Sequence, residues 1–351
     1  MKTTWLAGFG LYLLLITTSA FAVKVDALYK ATLPVAAQTS AERSQGVKLG
    51  INQVFIKVSG NNQVIDNPKL KARLNTAETL VQQYGYSTSP LANHNTPYLL
   101  EIQFDAEGVN QWLRDADVPI WGQNRPLIIA WVTYTAPKHP IEIISSDTTN
   151  EITRLLKELA TQRGLPLLLP LMDVTDLTQV STNDVSSMAI PNLSSAAKRY
   201  DNDAMLIGNI IQSADGLTSK WKLVFDDNQS DWTLAGKNMT DILPVLINNV
   251  TNTLATRFAV MTTDTIQKDL TLKVTGITQY PDFAKLTRYL NQLTPVANVE
   301  IVEITTTNEV ILKISLRSTE ESFMQTLAQG KKLTPIKTSN DDTMVVYQWN
   351  P

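Results

Sequence analysis

Pro126-Leu127-Ile128-Ile129-Ala130-Trp131-Val132-Thr133-Tyr134 is an almost unbroken apolar run rich in strand-forming residues. A strand wetted on one face alternates apolar with polar side chains. A run without that alternation belongs in a sheet covered on both faces. Similar runs return at residues 165–171 and 204–211. Between the first two lies a helical stripe, Ile152, Leu155, Leu156 and Leu159, with Thr148 and Glu151 at capping-box spacing before it and Gly164 after it. Strand, helix, strand with continuous apolar strands predicts a parallel pair in an α/β unit. Residues 194–200 read as a short helix, and Gly208 within the third run marks a close packing contact. Residues 220–225 and 231–234 read as an antiparallel hairpin. Residues 238–258 read as a long helix with Ile242, Val245, Leu246, Val250 and Leu254 inward. The stretch 119–261 is thus expected to be one mixed-sheet domain.

Upstream, residues 23–35 alternate as a half-buried strand. Thr39 followed by Glu42 opens a helix. Its stripe Val47, Ile51 and Val54 is expected to pass into a strand at Phe55, Ile56 and Val58, ending in a turn at 59–62. Asn67-Pro68 starts a second helix along Leu70, Leu74, Ala77, Leu80 and Val81. A strand at 98–104 and a helix at 105–116 complete an N-terminal α+β unit over 23–118. Downstream of a polar joint at 262–268, the pattern is strand 270–276, helix 281–293, strands 299–304 and 310–316 about a turn at Thr307-Asn308, helix 320–329 and strand 344–349. That β-α-β-β-α-β order over 268–351 predicts a ferredoxin-like split unit. The expected fold class is therefore a multidomain chain, α/β and α+β.

Residues 1–22 read as a secretory signal: Lys2, then an uncharged apolar stretch over 5–18, then Ala20-Phe21-Ala22 with Val23 as the first mature residue. The apolar run falls short of the ~20 residues a spanning helix needs, so no transmembrane span is expected after cleavage. With 351 residues, 43% hydrophobic and 18% charged, the composition is that of a folded globular chain. Removing Lys2 from 30 basic residues leaves 29 against 33 acidic, a net charge of −4. No basic domain supports nucleic-acid binding. The absence of cysteine excludes disulfides, thiolate nucleophiles, Cys-based metal sites and a lipid anchor on cysteine.

Chemistry-bearing residues are sparse. His94 and His139 stand in separate turn-like contexts without a Ser or Cys nucleophile motif. The acidic pairs Asp201/Asp203, Asp226/Asp227 and Asp341/Asp342 match no EF-hand pattern and suit solvated strand ends. No glycine-rich phosphate loop is present, and no cofactor and no metal are expected. The most unusual run is Trp121-Gly122-Gln123-Asn124-Arg125-Pro126. Trp121 and Arg125 are the candidate contact residues, set against Trp121 packing on a sheet edge and Arg125 pairing with a carboxylate. Trp131, at the end of an apolar run, reads as core.

Four motifs occur in order: Val58-Ser59-Gly60-Asn61; Trp121 with Arg125-Pro126-Leu127 leading to Trp131; Gln162-Arg163-Gly164-Leu165-Pro166 running to Pro170-Leu171-Met172-Asp173; and Tyr200 with Asp203-Ala204 leading to Gly208. Together they resemble a family of bacterial exported proteins known as domain of unknown function 2066. The resemblance implies a Gram-negative envelope setting and carries no activity. The layout of the middle unit also resembles the amino-terminal domain of the Tol system's periplasmic propeller protein, a likeness of fold that implies partner binding.

The expected function is an exported, periplasmic, non-catalytic binding or assembly factor with an envelope protein partner. Two rivals stand beside it. One is a cell-wall or envelope-polysaccharide enzyme using carboxylates such as Asp173, Asp203 or Asp226. The other is a homo-oligomeric scaffold built on the C-terminal unit.

Overall fold

A computed structural model describes residue 25 and residues 27–88, 96–305, 309–336 and 345–350. The signal reading, with Ala20, Ala22 and Val23, lies outside the described residues. So do His94, the Thr307-Asn308 turn and the Asp341/Asp342 pair. The fold is α+β, with three sheets among the described residues. No helix among the described residues is long and apolar enough to cross a membrane.

The N-terminal sheet contains β1 (Lys30–Val35), β2 (Val81–Thr88) and β3 (Tyr98–Phe104), ordered β1-β3-β2 and antiparallel throughout. Helix α1 (Ser40–Ser59) crosses it, driving Val47, Ile51, Val54, Phe55 and Val58 into the core. The Thr39 hydroxyl accepts the Glu42 N–H at 3.2 Å, as its spacing predicts. The helix runs through Phe55, Ile56 and Val58, where a strand was expected. Its stop is Gly60, which adopts φ +70° and donates its N–H to the Ile56 carbonyl at 2.9 Å. Asn67 caps α2 (Pro68–Arg73), and a 3-10 segment follows (Leu74–Leu80). Strand β2, of which the sequence reading had only Val81, as the end of that helix, is mostly exposed and so carries no apolar alternation. β1 begins at Lys30, directly after a turn that places the Lys30 N–H on the Ala27 carbonyl, so residues 27–29 of the expected strand are a turn. Helix α3 (Ala106–Asp115), capped by Asp105, closes the unit.

The middle sheet has the order β5-β4-β7-β8-β9, from β4 (Ile128–Thr135), β5 (Glu142–Ile143), β7 (Ala204–Ser213), β8 (Gly216–Phe225) and β9 (Asn228–Gly236). β4 and β7 are parallel, with Ile128 opposite Ala204 and Val132 opposite Gly208. The 165–171 run yields only β6 (Leu167–Leu168), parallel to β4. Pro166 and Pro170 flank it and have no N–H to give a ladder, although Leu165 and Leu169 are buried. One face of the sheet packs on α4 (Glu151–Gln162) and α8 (Met239–Phe258). The other, with Ile129, Trp131, Met205 and Ile207, packs under α6 (Thr182–Ser186), α7 (Ile190–Ala197) and Val180, which follows α5 (Val174–Gln179). That double cover explains the unbroken apolar run with which the reading began. Two local readings are corrected. Asn150, not Thr148, caps α4, while the Thr148 hydroxyl bonds Ser145 instead. Leu243, not Val245, joins the core face of α8, and Val245 is exposed.

The third sheet has the order β11-β12-β10-β14-β13. Its elements are β10 (Lys268–Thr275), α9 (Tyr280–Asn291), β11 (Val296–Ile304), β12 (Glu309–Leu316), α10 (Glu320–Gly330), β13 (Leu333–Pro335) and β14 (Val345–Trp349). β10 is antiparallel to β12 and parallel to β14. Its core gathers Leu286 and Leu290 from α9, Phe323 and Leu327 from α10, and the inward side of the strands.

Candidate functional site

Trp121 and Arg125, the contact candidates of the sequence reading, are each 1% exposed. They form the joint where the units meet. The Trp121 N–H donates to the Val58 carbonyl at 2.7 Å, and its indole stacks on Phe258 of α8 at 6.4 Å. Ile120 bridges to Val260, and Gly122 lies against Thr294 of the C-terminal unit. Arg125 lies 4.1 Å over the Trp121 ring.

The Arg125 guanidinium pairs with no carboxylate among the described residues, contrary to the alternative weighed from sequence. It donates instead to main-chain carbonyls. Nη2 reaches Lys57 at 2.5 Å and Trp121 at 2.9 Å, Nη1 reaches Arg163 and Gly164 at 3.0 Å each, and Nε reaches Gly122 at 3.1 Å. Lys57 lies in the last turn of α1, and Arg163 and Gly164 follow the last turn of α4. Two helix carboxyl ends, each with partial negative charge, therefore converge on one cation. Arg163 makes the reverse link from the middle unit. It donates to the Gly60 carbonyl at 2.9 Å, to the Asn62 side-chain oxygen, and to Asn252 at 3.2 Å. Lys57 donates to the Lys30 carbonyl at 2.7 Å.

Burial sets the electrostatics of this trio. It pushes the Arg125 guanidinium down to about 9 and Arg163 to about 10. Burial, then the nearby Arg125 charge, pushes the Lys57 ammonium from 10.5 down to about 8. Between these last two values the folded chain holds fewer protons than the unfolded one, so the Lys57 contribution to stability rises with pH. Lys57→Met is expected to remove that rise. Urea denaturation at pH 7.5 and pH 10 should show wild type gaining on the variant by on the order of 1–3 kcal/mol. A constant difference would show that Lys57 keeps its proton throughout.

The carboxylates singled out from sequence fall in two places. Asp173 caps α5 and holds Arg199 at 2.7 and 2.8 Å. That guanidinium, with backbone donors, holds the Asp173 carboxyl well below the usual carboxylate range. Asp176 is fully buried. It accepts from Met172 N at 2.9 Å, from Arg199 at 3.0 Å and from the Tyr200 hydroxyl. Burial and that hydrogen bond push the Tyr200 hydroxyl up to about 12. The network fixes Met172 at φ +53° and with it the turn from β6 into α5.

Asp203 and Asp226 come together in a cleft of about 270 Å³ between the middle and C-terminal units. Its floor is Phe225 and Phe258, and its far wall is α10 with Lys331 just beyond it. Asp203 accepts the Leu127 N–H at 2.8 Å and pairs with Lys331 at 2.7 Å. Asp226 pairs with Arg257 at 2.9 Å, and Arg257 lies over Phe225 at 4.8 Å. Gln325 of α10 donates to the Arg257 carbonyl at 3.1 Å. A neighbouring cleft of about 370 Å³ shares both aspartates and adds Asp201 and Lys198. Each carboxylate is engaged by a cation, and the Asp203–Lys331 pair joins two units. Sequence reasoning named the two acids but missed Arg257, Gln325 and Lys331. His139 lines a separate hollow with Tyr134 and Glu142. No cluster of three metal-ligating side chains occurs among the described residues.

The comparisons with known proteins bear on the N-terminal part. A family model described as "Domain of unknown function (DUF8605)" matches residues 22–122, fewer than a third of the 351. This overturns the likeness to domain of unknown function 2066. Much of what carried that likeness lies outside the matched span and answers to local demands any fold can make. Gly164 has φ +62° after α4, Asp173 is a helix cap, and Gly208 lies against Trp221. No curated protein matches the chain. Among solved structures, a competence-damaged protein (CinA) superfamily protein from Enterobacter cloacae is 11% identical, with a TM-score of 0.23, covering 43% of this chain and 88% of that one. A second, described as an uncharacterized protein, is 11% identical, with a TM-score of 0.17, covering 38% and 92%. Neither likeness carries an argument at those scores.

Proposed function

We propose that the protein is an exported, periplasmic binding or assembly factor of a Gram-negative envelope, and that its partner engages the cleft between the middle and C-terminal units. The observation that carries this reading is the state of the cleft's carboxylates. Asp203 and Asp226 are each held by a cation, Lys331 and Arg257, above an aromatic floor. A general base needs a lone pair free to take a proton in reach of substrate. Here the acids brace the walls of a concavity between units, where binding sites concentrate. The C-terminal unit is read as ferredoxin-like, supported by its element order and the strand order β11-β12-β10-β14. The Tol-like reading of the middle unit is supported by its element order, from β4 through α4 to β7, the β8–β9 hairpin and α8.

The test is cross-linking of the tagged protein in intact cells, followed by mass spectrometry of what co-purifies. Ala328 is exposed on the cleft wall, so Ala328→Trp fills the cleft without touching a core. One envelope protein recovered with wild type and lost with a folded Ala328→Trp is the expected result. Equal recovery from both would remove the cleft from the reading. Turnover of wall fragments by wild type, abolished in Asp203→Asn or Asp226→Asn, would replace binding by catalysis.

A further inference from the structure

Among the described residues, strand β11 is the outer strand of the C-terminal sheet, paired with β12 on one side only. The register sets Ile301 opposite Leu312 and Ile304 opposite Val310, and both partners are buried on the helix-covered face. Glu300, opposite Lys313, and Glu303, opposite Ile311, take the other face. Ile301 and Ile304 should therefore be core residues, yet they are 46% and 62% exposed. Val302, at the bulge between them, is 60% exposed. Ile304 is level with Val274 across two strands, so it lies at the end of the sheet where β10 gives way to α9. The first residue of α9 is Tyr280, 81% exposed and 6.3 Å from the Phe283 ring. An apolar ledge thus runs beside an unpaired backbone edge. The lysines of the neighbouring strands are already engaged, Lys313 by Asp269 at 2.9 Å and Lys273 by Glu309 at 2.8 Å. Glu300 and Glu303 have no ion-pair partner among the described residues.

We propose that the outer edge of β11 accepts an extended polypeptide segment as an added strand, with apolar side chains toward Ile301 and Ile304 alternating with basic ones toward Glu300 and Glu303. Strand addition draws affinity from main-chain hydrogen bonds and specificity from alternate side chains. Here the alternation is apolar on one face and acidic on the other, and its complement is apolar and basic. A second copy of this chain fits less well. Pairing two β11 edges would gather four carboxylates on one face, and the bulge after Ile301 opposes stacking of identical edges. The proposal rests on the reading of the protein as a binding factor and names a second surface for it.

The test is a fluorescence-anisotropy titration of the full chain with a labelled heptapeptide alternating lysine and valine. Binding is expected, and the charge-reversed glutamate–valine peptide should not bind. The double variant Glu300→Lys, Glu303→Lys and the single variant Ile304→Asp, all at exposed positions, should each weaken binding about tenfold. Added salt should weaken it too. Unchanged affinity in both variants, or equal binding of the acidic peptide, would overturn the proposal. So would a stable dimer by sedimentation that Val302→Pro abolishes, which would give the edge to a second copy. Ala328→Trp should leave peptide affinity unchanged, so failure of the cleft reading and failure of this one register in different experiments.

Discussion

Replacing Arg125 by methionine is expected to lower the unfolding free energy by about 3–5 kcal/mol. The side chain is buried at the junction of the units and donates to the carbonyls of Lys57, Trp121, Gly122, Arg163 and Gly164. Methionine matches much of its volume but returns no donor. Each carbonyl left buried and unpaired costs ~1–3 kcal/mol, offset in part because the charge no longer has to be desolvated. Arg125→Lys keeps the charge and is still expected to lose about half as much. An ammonium has no planar fork, so it cannot reach Lys57 at the end of α1 and Gly164 beyond α4 together. Tryptophan fluorescence is the natural readout in urea, since Trp121 lies against the guanidinium. Because the same side chain ties the N-terminal unit to the middle one, Arg125→Met should also split one unfolding transition into two. A loss below about 1 kcal/mol would mean that water reaches those carbonyls.

The history of Arg125 shows where sequence reading stops. Trp121 and Arg125 stood out as residue types rich in binding energy, and that chemistry is the chemistry of this joint. What could not be read was the other half. Main-chain carbonyls leave no signature in a sequence, and those of Lys57 and Gly164 lie 68 and 39 residues away. Caps behaved differently because their partners are local. Thr39 with Glu42 and Asn67 with Pro68 were legible as written, whereas the Asn238–Asp241 capping box of α8 went unread although its spacing is as local. Where two cap-forming residues stood close together, spacing alone chose Thr148 over Asn150. Strand β2 escaped because an exposed edge strand needs no apolar alternation. The cleft was half legible for the same reason as the joint. Asp203 and Asp226 sit at strand ends, but their partners Lys331 and Arg257 belong to α10's far end and α8. Lone basic residues in polar surroundings give no cue to such distant pairing.

Gly208 is the case in which sequence and structure meet most closely, and its replacement carries the second large effect. A lone glycine within an apolar strand marks a close approach, and the approaching group is the indole of Trp221, directly opposite on β8. A Cβ built at Gly208 would overlap three atoms of the six-membered ring of that indole. Trp221 has nowhere to go. It is 1% exposed and belongs to the core shared by the sheet with α4 and α8. Gly208→Ala is expected to cost about 2–3 kcal/mol and Gly208→Val about 4 kcal/mol, through overpacking rather than lost contacts. The backbone gives no competing explanation, since Gly208 is not in the left-handed region. The decisive comparison is a double-mutant cycle with Trp221→Leu, whose smaller side chain vacates the space the new methyl needs. The double variant should be more stable than the sum of the single losses by about 1–2 kcal/mol. Strict additivity would show that glycine is required there for something other than the indole, and it would detach the sheet's tight β7–β8 approach from the residue that the sequence pattern made conspicuous.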